Sequence, residues 1–239
     1  MEVPETARED FARHHVSSPR GALARAMEPT GAVALVAAGN RLYERGLNHA
    51  TSGNLSVRMG DRMLVKPAAV PYDRLRPEEL SVVVLADGRH VGGLPPSSEH
   101  RMHLAVYRAR ADVQAIVHAH PPHASAFAVA RKPIPPVLDE SLAFLGGEVP
   151  CADYAPSGDA AVGEHVARAL GATGVAALMA NHGAVTVGRT LDEAMGAMEH
   201  VEHLARVVLL AEAAGGAKAV PEAGVKAMRA IFERGARRY

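Results

Sequence analysis

The segment that organises this chain is Ile116-Val117-His118-Ala119-His120-Pro121-Pro122-His123, IVHAHPPH, in which three imidazoles fall within six residues. The run Ala115–Ala119 is short, apolar and β-branched, with Asp112 before it and Pro121 after it, so it predicts a strand. Side chains alternate faces along a strand, which points His118 and His120 to the same side. Two ring nitrogens at that spacing can grip one divalent ion, and imidazole suits several metals alike. The chain carries 13 histidines, however, so an H-x-H pair can also arise by chance. Spacing alone leaves both readings open, and further ligands have to come from elsewhere.

Upstream, apolar residues recur at helical spacing from Thr30 to Arg45, and Gly46 predicts the stop. Thr51-Ser52-Gly53-Asn54-Leu55-Ser56-Val57-Arg58 then reads as a turn leading into a strand. Met63–Val65 and Ser81–Leu85 are strand candidates on either side of the proline-containing loop Lys66–Arg76, and Asp87-Gly88 turns the chain. Ser98 is placed as the N-cap of a helix that follows Pro95-Pro96, with Glu99 in its first turn, where the helix dipole favours a carboxylate. Downstream, Val175–Met179 and Ala184–Val187 are strands joined through Asn181-His182-Gly183. Thr190-x-x-Glu193 is a capping box opening a long helix that runs to Gly215-Gly216, with His200 and His203 expected on its solvated face. Residues 1–28 read as a polar leader with a short helix over Ala7–Val16, followed by one main domain over 29–239. Helices and strands alternate without a strict βαβ rhythm, so helices on a mixed or antiparallel sheet are expected.

Composition narrows the function. At 239 residues, with 48% hydrophobic and 22% charged side chains, the chain suits one substantial domain. Lys and Arg number 26, as do Asp and Glu, so no net charge argues for a nucleic-acid partner. Cys151 is the only cysteine, which excludes an intrachain disulfide and a thiolate zinc cage; any metal must rely on histidine and carboxylate. With neither a signal-peptide pattern nor a bilayer-spanning apolar run, no membrane partner and a cytoplasmic location are expected.

Four candidate ligands thus stand in three separate elements: Glu99 at a helix start, His118 and His120 on a strand, and His182 in a turn. Three histidines and a carboxylate would leave a coordination position open for substrate, as a catalytic metal requires. The segments LNHATSGNLSVR (47–58), KPAAVPYDRL (66–75), LPPSSEHRMHLAVYRARADVQAIVHAHPPHA (94–124), VPCADYAPSG (149–158) and NHGAVTVG (181–188) recur in this order in one family. By them the chain resembles the class II aldolase/adducin family, over nearly everything from Thr30 to Gly216. The resemblance implies a three-layer α/β/α domain and a cyclic homotetramer with active sites near subunit boundaries. It also implies one divalent metal ion per subunit (zinc or manganese foremost, iron or cobalt otherwise). His118, His120 and His182 fall on the family's histidine ligands, and Glu99 on the residue that is both ligand and catalytic acid/base. Adducin, the structural branch, lacks this set, so its presence argues for an enzyme over an adducin-like binding module.

The match thins around the substrate. In the family's sugar-phosphate enzymes a phosphate cradle is built from positions that hold Thr51, Gly53, Asn54, Ser97 and Ser98 here. Its Thr/Ser-Gly pair has become Ala68-Ala69, and alanine resists the positive φ that glycine accepts. Lys66 stands ready to supply a charge to an anionic small-molecule substrate. Asp139 occupies the place of the tyrosine that protonates the departing aldehyde oxygen, and Tyr239 or Arg234 is left to stand for a second, C-terminal tyrosine. His123 is assigned to the pocket, and His103, one helical turn after Glu99, is expected to pack or hydrogen-bond. Decarboxylation does not need the aldehyde-handling groups, because carbon dioxide leaves neutral. The expectation is therefore a metal-dependent carbon–carbon lyase, favoured as a decarboxylase of a hydroxylated aromatic dicarboxylate of the dihydroxyphthalate type. A sugar-phosphate aldolase is the alternative.

Overall fold

The computed structural model describes residues 29–234. The expected leader, its helix over 7–16, and Tyr239 lie outside them. An eight-stranded sheet spans the domain in the order β4-β3-β2-β1-β5-β8-β7-β6. Its strands are β1 (Asn54–Met59), β2 (Arg62–Val65), β3 (Ser81–Val84), β4 (His90–Gly92), β5 (Ala115–Ala119), β6 (Cys151–Ala152), β7 (Ala176–Met179) and β8 (Gly183–Gly188). Every neighbouring pair is antiparallel except β6 and β7. The sheet is thus mixed and largely antiparallel, and the neighbouring inner strands β5 and β8 are buried along their whole length.

Among the described residues, seven α-helices cover the sheet: α1 (Pro29–Glu44), α2 (His100–Ala109), α3 (Pro122–Ala130), α4 (Asp139–Leu145), α5 (Ala160–Leu170), α6 (Leu191–Ala213) and α7 (Glu222–Glu233). Residue alternation in β1 divides them. Asn54 and Ser56 meet α2 through Ser97, Glu99, His103 and Tyr107. Leu55 points the other way, towards Gly39 of α1. Helix α5 lies beside α2, whereas α6, joined by α3 and α4, covers β5 and β8 on the opposite face. The layering is therefore helix, sheet, helix.

Local signals place several of these elements. Thr190 Oγ1 accepts the Glu193 amide at 3.1 Å, as a capping box demands, but the Glu193 carboxylate returns to the Arg189 amide and guanidinium instead of to Thr190. Helix α3 begins directly on Pro122, whose fixed φ and missing N–H suit a first helical turn. His200 departs from the expected solvated face: its ring stacks on Phe144 of α4 at 4.1 Å, because α4 lies against α6 there. His203 remains exposed, 3.6 Å from Glu140.

Where α2 and α5 cross, Gly163 lets the backbones approach. A Cβ at that position would sit 2.6 Å from Ala105 Cβ and 3.1 Å from Met102 Cα. Gly163→Ala therefore forces the helices apart and costs about 1–3 kcal/mol by overpacking, which a denaturant titration reads as a lowered midpoint at unchanged slope.

Candidate metal centre

The strand β5 ends at Ala119, and His118 and His120 turn their rings to one side, as their spacing dictates. His182 arrives from the tight β7–β8 turn, in which Asn181 takes φ +56° and Gly183 permits close approach. A Cβ on Gly183 would lie 2.5 Å from the Ala119 carbonyl oxygen and 2.8 Å from the His120 ring. The three ring centroids form an equilateral triangle of 4.9 Å sides. One ligand nitrogen from each lies within 4.8 Å of the others, and the Nε2 atoms of His118 and His120 are 3.1 Å apart. Nitrogens bound tetrahedrally at zinc–nitrogen distances lie about 3.3 Å apart, so the triad fits a single divalent cation.

Neighbouring groups orient these rings. The Ala184 carbonyl accepts the Nδ1–H of His118 at 3.0 Å, which turns Nε2 inward, where loss of its proton would expose the ligating lone pair. The His120 backbone is held from the other side, its N–H donating to the Asn48 amide oxygen and the Leu47 carbonyl. Burial pushes His120 down to about 3 and, with the charge of His118, also lowers His182, so both rings are neutral and able to ligate. Burial acts on His118 in the same sense, but the charge and hydrogen bond of Glu99 outweigh it and raise its pKa.

Glu99 completes the centre. Its two oxygens stand 3.1 Å from His118 Nε2 and 3.3 Å from His182 Nε2. Asn54 donates to one oxygen at 2.9 Å and Ser157 to the other at 3.3 Å. Burial works against the charge, yet His118, His182 and the Asn54 amide hold this carboxyl well below the usual carboxylate range. The expectation for Ser98 is corrected here. Helix α2 starts at His100 with Glu99 in the N-cap position, and Ser98 is exposed. Ser97 is the buried serine, its hydroxyl accepting from both the Glu99 amide and Asn54. The charge on Glu99 thus owes its stability to imidazoles and an amide.

The remaining expected residues divide. Lys66 is buried; its Nζ donates to the Thr51 carbonyl at 3.3 Å and lies over the Tyr72 ring, and burial lowers its pKa to about 8. Thr51 is exposed beside it, and Gly53 takes φ +70° against the Asn48 amide. Ala69 takes φ +56°, the left-handed turn that the sequence reading expected alanine to resist. The loop imposes it, since the flanking Ala68 amide is bonded to the Pro95 carbonyl. Ala69→Gly therefore relieves roughly 1 kcal/mol of left-handed strain, and a thermal melt should rise by about 2–4 °C. His123 turns to Glu202, its Nδ1 2.6 Å from the carboxylate, and Asp139 is exposed at the start of α4. Asn48 and Ser157 were not singled out in the sequence, although both lie in the recurring segments 47–58 and 149–158.

An imidazole triad beside a buried carboxylate, at the ends of inner strands of a mixed sheet, is the frame of a metal-dependent enzyme. The Class II Aldolase and Adducin N-terminal domain profile matches residues 33–209, and the chain belongs to that family. The L-fuculose phosphate aldolase of Escherichia coli O6:H1 is 39% identical over 164 residues, 69% of this chain and 75% of the relative. The 5-methylthioribulose-1-phosphate/5-deoxyribulose-1-phosphate aldolase of Rhodospirillum rubrum is 37% identical over 172 residues, 72% of this chain and 76% of the relative. Among solved structures, an L-fuculose 1-phosphate aldolase superposes with a TM-score of 0.81 at 31% identity, covering 85% of this chain and 96% of its own. The metal-dependent lyase expected from the sequence stands, and these relatives back aldol cleavage better than decarboxylation.

Proposed function

We propose that this protein is a class II aldolase that cleaves and forms a carbon–carbon bond in a ketose 1-phosphate. Three imidazoles and Glu99 would hold one divalent cation, zinc or manganese foremost. The observation that carries this reading is the convergence of His118, His120 and His182 on a buried Glu99, in a chain whose relatives are named as aldolases of different sugar phosphates. When bound, such a cation supplies a Lewis acid that draws off the negative charge left as carbon parts from carbon.

The chain's own groups do the rest. Asn54 and Ser157 hold the two oxygens of Glu99, so the carboxylate meets the substrate in one orientation. As the bond between C3 and C4 breaks, the C4 hydroxyl gives up its proton and becomes an aldehyde. In the bond-forming direction the ionised Glu99 takes a proton from C3; in cleavage the proton released by the C4 hydroxyl reaches Glu99 through solvent, and Glu99 returns it to C3. The Lys66 ammonium, with the hydroxyls of Thr51 and Ser98 and the backbone at Gly53, is proposed to receive the phosphate. Ser97 and Asn54 stiffen that pocket from beneath, and His123, braced by Glu202, is assigned to its rim. Asp139 and Tyr239 are proposed to handle the proton on the departing oxygen, across a subunit boundary of a homotetramer.

Decarboxylation of a hydroxylated aromatic dicarboxylate remains the second reading, favoured by one observation: Asp139 stands where the aldolases place an acid tyrosine. Supplying L-fuculose 1-phosphate, 5-deoxyribulose 1-phosphate and a dihydroxyphthalate side by side separates the two. The expected products are dihydroxyacetone phosphate and an aldehyde, lost on chelation and restored by zinc or manganese. Carbon dioxide from the dicarboxylate, with no aldehyde from either sugar phosphate, would reverse the assignment.

A further inference from the structure

Behind Glu99 and Asn54 runs a line of buried polar side chains, His103, Ser56 and Tyr107, that the reaction above does not use. Glu99, His103 and Tyr107 are spaced four apart along α2 and its N-cap, and Asn54 and Ser56 two apart along β1. Four residues of helix rise about 6.0 Å and two residues of strand about 6.6–6.8 Å, so the two rows interleave almost in register. Asn54 sits between Glu99 and His103, and Ser56 between His103 and Tyr107. His103 and Ser56 are fully buried, and Asn54 and Tyr107 are 2% exposed.

Hydrogen-bond chemistry fixes the direction of every link. The ionised Glu99 carboxylate only accepts, so Asn54 must present its NH2 to it, at 2.9 Å. The Asn54 carbonyl oxygen then faces His103 Nε2 at 2.5 Å, and that nitrogen must carry the proton. Burial lowers His103 to about 3, so the ring is neutral and its Nδ1 is a lone pair. Ser56 therefore donates to Nδ1 at 2.7 Å and accepts from the Tyr107 hydroxyl at 2.8 Å, a phenol that burial keeps protonated. Every donor points towards Glu99.

We infer that His103 is a positioning residue, the middle of a one-way donor chain from Tyr107 through Ser56 to Asn54 that locks the Asn54 amide with its NH2 towards Glu99. Without the Nε2–H of His103, nothing on that side distinguishes the amide's oxygen from its nitrogen. Half a turn about its χ2 would then set a carbonyl oxygen against the carboxylate. The inference rests on the proposed role of Glu99 as acid/base, but the tautomer can be read without any turnover.

The test has two arms. Nitrogen NMR of the metal-free protein, with His103 labelled, should show a neutral ring protonated on Nε2. Protonation on Nδ1, or an imidazolium, would overturn the inference, because the chain would then run the other way. In the second arm, at saturating metal, His103→Phe should lower kcat by about 10–100-fold at unchanged KM and metal content. His103→Gln, whose amide nitrogen can reach the place of Nε2, should recover most of the loss. An equal loss in both variants, or a rise in KM alone, would mean that His103 merely fills space. A wild-type protein inactive on every sugar phosphate would defeat the aldolase reading, and the tautomer would still decide the donor chain.

Discussion

Glu99→Gln should lower kcat for ketose 1-phosphate cleavage by about 10²–10⁴-fold, the range over which a positioned general acid or base acts, while KM changes little. The amide is nearly isosteric and can still accept from Asn54, so at saturating metal, with metal content checked, the loss reports proton transfer. Glu99 is the carboxylate that lies between His118 and His182 and is bonded to Asn54 and Ser157. No second carboxylate among the described residues makes contact with both rings. A companion measurement removes the dependence on cleavage. In heavy water the wild-type protein should exchange one carbon-bound proton of dihydroxyacetone phosphate with solvent, and Glu99→Gln should not. Undiminished exchange in the variant would assign the proton to another group.

His182→Ala should reduce metal affinity by more than about 100-fold, beyond the 10–100-fold that loss of an outer partner typically costs. It removes one corner of a triangle whose sides are all 4.9 Å and leaves Glu99 facing a single ring. Metal analysis after dialysis at micromolar zinc reads the effect directly. His123→Ala provides the contrast. Its imidazole is bonded to Glu202, away from the triad, so metal content should stay at one ion per subunit. A variant of His123 that emptied the site, or a variant of His182 that kept it filled, would redraw the ligand set.

Much of this centre was legible in the chain because a short apolar, β-branched run that ends at a proline is a strong local signal. It placed β5 and set His118 and His120 on one face before any partner was known. The register was not legible. That Asn54 pairs with His118, which puts the amide beside the ligands, follows from β1 adding to β5 across a long sequence separation. Elsewhere, local preference lost to tertiary demand. Ser98 has the chemistry of an N-cap, but the buried Ser97 is the one that turns inward, because Asn54 and the Glu99 amide require a hydroxyl there. Ala69 lies in the left-handed region because the hydrogen-bonded loop around it leaves no other path. His200 has the spacing of a solvated helix face, and only the arrival of α4 from elsewhere in the chain covers it with Phe144. Helix α3, PHASAFAVA, carries little amphipathic contrast, so the sequence marks its first proline and not its length.

One measurement bears most directly on the claim that these four groups make a working metal centre. Crystals of the protein grown with zinc, measured at the zinc absorption edge, should give one anomalous peak per subunit, bonded to His118, His120 and His182 with Glu99 beside it. A peak seated elsewhere, or none at the triad under saturating zinc, would contradict the account at its root.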